Sequence, residues 1–285
     1  MWNLTMRNLK VYFRDKIAVF FSLLGVIIIL ALYLFVLGDS MLSDLEGVSG
    51  AKEIMDNWIM AGLLAATSMT SAMGAYGIMI EDNERKNIKD FLSSPIKKFT
   101  VYGSYIINAI IVSAIICIIT LIIAEIYIAG INHGEILPFT DMLKILGILA
   151  LGIFCSSSIA SFLASFIKTN SAFSGMSIVL GTIIGFITGI YIPVGTLGEG
   201  MQMVVKAFPV SHAGVLLRQV MMNPSLNESF TGVKVSYLQS FKENMGVVFI
   251  LNGNEMTVLM HVGILVISGI LFYILAILNL SRKTK

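Results

Sequence analysis

"EDNERKNIKDFLSSPIKKFTVYGSY", residues 81–105, is the stretch whose reading decides the fold. Nine charges and a proline fall within its first eighteen residues, between apolar runs on either side. Each of those runs is long enough to cross a bilayer, for which roughly 20 apolar residues suffice. The whole chain of 285 residues is 56% hydrophobic and 13% charged, with a mean hydropathy of +0.88. A soluble domain carries roughly 25% charged residues. Apolar blocks of this length, separated by short charged loops, specify an all-α polytopic membrane protein.

Six blocks qualify as transmembrane helices, near 17–37, 58–80, 101–128, 143–167, 171–192 and 257–279. They define one transmembrane domain over 1–285, with a leader at 1–16, a loop at 81–100 and a second, longer loop at 193–256. Blocks four and five are parted only by the turn Lys168–Thr169–Asn170. An even number of spans puts both termini on one side. That side carries Arg7, Lys10, Arg14, Lys16, Arg85, Lys86, Lys89, Lys97, Lys98, Lys168, Arg282, Lys283 and Lys285. The other carries Lys52, Lys144, Lys206, Arg218, Lys234 and Lys242, a ratio of 13 to 6. Basic residues in short loops stay in the cytoplasm, so both termini and residues 81–100 are expected there. The start reads as mature sequence, since no small-residue cleavage site follows a short apolar core. The bias toward Ile, Lys and Asn points to an AT-rich bacterial genome, hence a bacterial plasma membrane.

The leader is itself patterned. Trp2, Met6, Leu9 and Phe13 recur at helical spacing, with Asn3, Arg7, Lys10 and Arg14 on other faces. Such a helix lies in the membrane interface, apolar residues toward lipid and bases toward anionic headgroups; a merely basic leader that sets topology is the plainer reading. Within residues 81–105, Ile88, Phe91 and Leu92 stand at i, i+3 and i+4 and share a helical face, while Glu84, Arg85, Lys89 and Asp90 occupy the rest. Pro95 ends this short helix; Ser94 is placed to cap the next, with Pro95 at its first position. An apolar knob ringed by both signs of charge suits docking on another protein. The alternative is a loop whose apolar residues pack under the spans.

Taken in order, these features resemble the permease subunits of ATP-binding-cassette exporters of the ABC type-2 class. The likeness rests on the amphipathic leader, on the charged loop ending "DFLSSPIKKFTVYGSYI", on the tight turn between blocks four and five, and on "FPVSHAGVLLRQV", Phe208–Val220, before the last block. The resemblance implies that the leader is an elbow helix. It implies that Glu84, Arg85, Ile88, Lys89, Asp90, Phe91 and Leu92 form a cytoplasmic coupling helix seated on an ATPase subunit. It also implies short re-entrant helices on the outer side, over about Leu197–Met222, bearing Phe208, Pro209, His212 and Arg218. Residues 223–255 exceed the family minimum; an extracellular cap and a partner site are the two readings open to them.

The implied machine is an exporter whose engine is a separate P-loop ATPase in two copies, paired with a second permease copy or close paralogue. No G-x-x-x-x-G-K-[ST] motif occurs in this chain, so ATP and Mg belong to that partner and this chain is not an enzyme. The histidines His133, His212 and His261 lack zinc-ligand spacing, and Cys117 and Cys155 form no CxxC, so neither a metal nor a cofactor is expected. The net charge of +2 gives no footprint for nucleic acid; lipid and protein are the expected partners. The serines of "TSMTSAMG" and "CSSSIASFLAS" lack a G-x-S-x-G frame and read as close-packing residues. Glu125 and Lys144, at neighbouring span ends, read as an intramembrane polar pair. No ionisable group falls at mid-span in this reading, which disfavours an ion-coupled carrier and favours a hydrophobic or amphipathic cargo such as a drug, an antimicrobial peptide or a lipid-like molecule. The competing reading is an ATP-independent module, either a secondary carrier or a receptor-like immunity protein.

Overall fold

The computed structural model describes residues 1–37, 50–93, 96–131, 137–231, 234–251 and 253–282. The Ser94–Pro95 cap, His133, and Lys283 and Lys285 lie outside the described residues, as do the side chains of Leu92 and Arg282. The chain is helical almost throughout. In chain order the helices are α1 (Trp2–Arg14), α2 (Lys16–Leu32, extended by a π-helical turn Tyr33–Leu37), α3 (Ala51–Ala75), α4 (Gly77–Glu84) and α5 (Asn87–Ser93). They continue with α6 (Lys98–Glu125, with a π-helical end Ile126–Ile131), α7 (Phe139–Ala164) and α8 (Asn170–Ile187). Four short helices follow, α9 (Glu199–Ala207), α10 (Pro209–Met221), α11 (Asn223–Ser229) and α12 (Val235–Asn244), before α13 (Val258–Arg282). A two-stranded antiparallel ladder, β1 (Ile250–Leu251) and β2 (Asn254–Glu255), precedes α13.

Five helical stretches among the described residues are long and apolar enough to cross a membrane: Ala51–Glu84, Lys98–Gly130, Phe139–Ala164, Asn170–Ile187 and Val258–Leu280. The apolar part of the first block is shorter, Ser22–Phe35. The chain is therefore a helical, multi-pass membrane protein.

α3 is the axle of the bundle. Nearly all of its residues are buried, and α6, α7, α8 and α10 pack around it. Its small residues make that possible: Ala61, Gly62, Ala65, Ala66 and Ala72 let neighbouring backbones approach. Ser68 meets Ser156 of α7 at 2.9 Å, so the serines of the two segments join as packing residues. By contrast α8 and α13 leave apolar side chains outward, among them Ile178, Val179, Leu259 and Ile267.

α1 presents a mixed face to the bundle: Leu4, Leu9 and Phe13 pack on the core, so Leu9 and Phe13 face protein rather than the lipid expected of them. Its buried residues are Thr5, Asn8 and Tyr12, while Trp2 is exposed. Thr5 donates to the Ser104 carbonyl at 3.5 Å and Asn8 to Ser104 Oγ at 3.3 Å, both on α6. Polar atoms turn toward the protein, where partners exist, and Trp2 turns away from it.

Candidate functional site: two clusters at opposite ends of the bundle

The turn after α3 builds the first cluster. Asp82, on α4, is almost wholly buried, and its carboxylate is saturated. Arg7 of α1 donates through both terminal nitrogens, Nη1 to Oδ2 and Nη2 to Oδ1 at 2.9 Å. Tyr105 of α6 donates its hydroxyl to Oδ2 at 2.6 Å, and Asn87 of α5 donates Nδ2 to Oδ1 at 3.0 Å. Four helices thus meet on one carboxylate. A bidentate arginine–carboxylate pair fixes orientation as well as proximity. The hydrogen bond to Asp82 raises the pKa of Arg7, and burial opposes that rise.

Between α4 and α5, Lys86 adopts φ 64°, the left-handed conformation that only glycine takes freely. This reversal lays α5 back against the bundle. Ile88 is 5% exposed and belongs to the main core, and Phe91 packs on that core with the Arg7 guanidinium 5.6 Å from its ring centroid. The outward knob expected of Ile88 and Phe91 is therefore corrected: their face points inward, because a cation and a hydrophobic core cover it. Among the described side chains, α5 and the preceding turn expose Glu84, Arg85, Lys86, Lys89, Asp90 and Ser93. Arg85 pairs with Glu81 at 2.7 Å. Glu84 accepts from Asn170, at 3.2 Å from its backbone nitrogen and again from its side chain, which clips this turn to the start of α8. The following helix, α6, starts at Lys98 behind an extended Lys97.

The second cluster lies at the other end of the bundle. α10 begins with Pro209 in its first turn, where a missing N–H costs nothing, and inserts between α3, α7 and α13. Arg218 is 1% exposed. Its Nη2 donates to the Thr188 carbonyl at 2.6 Å, and its guanidinium lies 5.0 Å from the Trp58 ring centroid. Trp58 in turn donates to the Met245 carbonyl at 2.7 Å. Gly189 (φ +70°) and Gly246 (φ +64°) make room, since a Cβ on either would come within 3.4 Å of the guanidinium. Among the described residues no carboxylate pairs with Arg218.

His212 and His261 meet nearby, Nδ1 to Nδ1 at 2.6 Å, while His212 Nε2 lies 3.0 Å from the Lys206 carbonyl. A contact of that length needs one proton between the two nitrogens, so the pair is a packed hydrogen bond joining α10 to α13. Phe208 packs against the core beside it.

The expected Glu125–Lys144 pair is not formed. Lys144 binds Asp141 at 2.7 Å, one helical turn away, a shorter reach than the next helix. Glu125 Oε2 accepts only a long 3.5 Å bond from the Leu137 backbone. The sequence reading also missed Asp82, Asp56 and Arg7 as partners. Asp56 is buried in α3, where Tyr127 donates to it at 3.3 Å, because α3 begins at Ala51 and brings that acid inside the bundle. No cluster of three metal-ligating side chains occurs among the described residues.

This architecture defines the class as a helical multi-pass membrane protein. The family model described as ABC-2 family transporter protein matches residues 43–278, and the chain belongs to that family. It is a membrane subunit of an ABC transporter, not a catalytic enzyme, and its family implies association with an ATPase subunit. No curated protein matches the chain.

Proposed function

We propose that this chain is the membrane-spanning subunit of an ATP-driven exporter in a bacterial plasma membrane, with its termini and the α4–α5 turn in the cytoplasm. Hydrolysis takes place on a separate ATPase present in two copies, and a second permease copy or close paralogue completes the pathway. The observation that carries this reading is the Asp82 node. It ties the exposed charged turn to α1, α4 and α6, so a push on α5 moves three helices together. Glu84 extends the linkage to α8.

The charged surface of Glu84, Arg85, Lys89 and Asp90 is the coupling face, and Ile88 and Phe91 are its anchors in the permease body. α1 acts as the elbow, and α9 and α10 as the outer re-entrant helices. The outward apolar sides of α8 and α13 support contact with a second copy or with lipid. Cargo is hydrophobic or amphipathic: the core buries few ionisable groups, and Arg218 and Asp56 are both engaged by protein. Co-purification with the cognate ATPase, and stimulation of its hydrolysis, tests the reading; a chain that transports in vesicles without any ATPase supports the ATP-independent carrier instead.

A further inference from the structure

Beside the coupling face lies a cleft of about 400 Å³ between the α4–α5 turn, the end of α7 and the end of α13. Lys86, Lys89 and Lys168 line it, over an apolar floor that includes Ile88, Tyr102 and Leu280. No carboxylate lines it, and none of the three lysines forms an ion pair among the described residues. Three like charges converging without an internal counter-ion repel one another, so an anion entering the cleft is drawn by all three. The floor is built from the ends of the long apolar helices α7 and α13, with Ile88 and Tyr102 beside them; in the topology proposed above, headgroups meet water at this level. Phosphate chemistry with an apolar tail matches both the rim and the floor.

We propose that this cleft binds the phosphate headgroup of an anionic membrane lipid. The bound headgroup would bridge the α4–α5 turn to the α7–α8 turn, reinforcing the Glu84–Asn170 clip between the same two segments. The cleft shares Lys89 with the proposed coupling face, and the test uses the chain without an ATPase so that failure of one reading is distinguished from failure of the other.

The test is lipid retention by the purified full-length chain, read by native mass spectrometry with phosphatidylglycerol and phosphatidylcholine as probes. Phosphatidylglycerol should be retained preferentially. The variant Lys86→Gln/Lys89→Gln/Lys168→Gln should weaken its binding about a hundred-fold, in line with the attraction each of the three lysines exerts on an acidic lipid surface. Replacement of the same three by arginine should restore it. Lys52→Gln/Lys234→Gln/Lys242→Gln removes equal charge from the other side of the chain and should change retention less than about two-fold. Equal loss in that control, or equal retention of the two lipids, overturns the proposal. Glycerol 3-phosphate separates the sources: if it binds the chain as tightly as the lipid, the cleft serves a soluble phosphate and the lipid assignment fails. Unchanged lipid retention in the glutamine variant, with loss of ATPase association instead, assigns the cleft to an acidic protein partner and likewise overturns it.

Discussion

Arg218 shows what a buried charge requires when the described residues supply no carboxylate. The Thr188 carbonyl and the Trp58 ring face share its guanidinium, and glycines at 189 and 246 clear the space. Arg218→Ala removes a hydrogen bond and a cation–π contact and leaves a large hole; a loss of about 3 kcal/mol is expected, read from thermal unfolding in detergent. An unchanged melting temperature would show that the surrounding helices close without it. His212 makes a pH-dependent contribution. Burial lowers its pKa, so the folded state resists a proton that the unfolded chain accepts near the ordinary value of about 6.5. Stability is therefore full above that value and falls as pH drops through it. The His212→Gln variant should flatten the decline between about pH 7 and 5; a decline as steep as the parent's would place the acid sensitivity elsewhere.

At the scale of the element, α5 separates two roles that a helical wheel merges. Ile88→Glu sets a charge in the core and should cost about 3 kcal/mol, whereas Asp90→Lys on the exposed side should shift stability by no more than about 0.5 kcal/mol. Equal effects of the two in thermal unfolding would contradict the inward packing. The spacing of Ile88 and Phe91 made a one-sided helix legible; which side faced inward was not, because it depends on the αL turn at Lys86 and on Arg7, about eighty residues earlier. α1 has the same lesson. Its stripe of Trp2, Met6, Leu9 and Phe13 is readable, but the pairing of Thr5 and Asn8 with Ser104 is a tertiary fact. Long apolar blocks such as 101–128 and 143–167 became helices, since length and hydropathy alone decide them. The Glu125–Lys144 pairing failed for the opposite reason: an i,i+3 partner, Asp141, was closer than any inter-helix one.

For the whole molecule, position along the bundle divides the labour. One end gathers α1, the α4–α5 turn, Asn170 and Asn279, the last of which donates to Ser165 at 2.6 Å. The other gathers Arg218, the histidine pair, and the Trp58–Met245 contact. α3 runs between them with most of its side chains buried and packs against α10; the proposed function expects displacement at the Asp82 node to reach α10 through those contacts. That is the physical content of coupling in this account: a rigid axle, a charged handle at one end and a wedged helix at the other. The most direct test reconstitutes the chain with its ATPase and measures hydrolysis with and without the Arg85→Glu/Asp90→Lys double variant. The account predicts that the parent chain stimulates hydrolysis and that the variant, folded and equally stable, loses that stimulation about ten-fold or more. Hydrolysis unaffected by the chain, or stimulated equally by the variant, would contradict it.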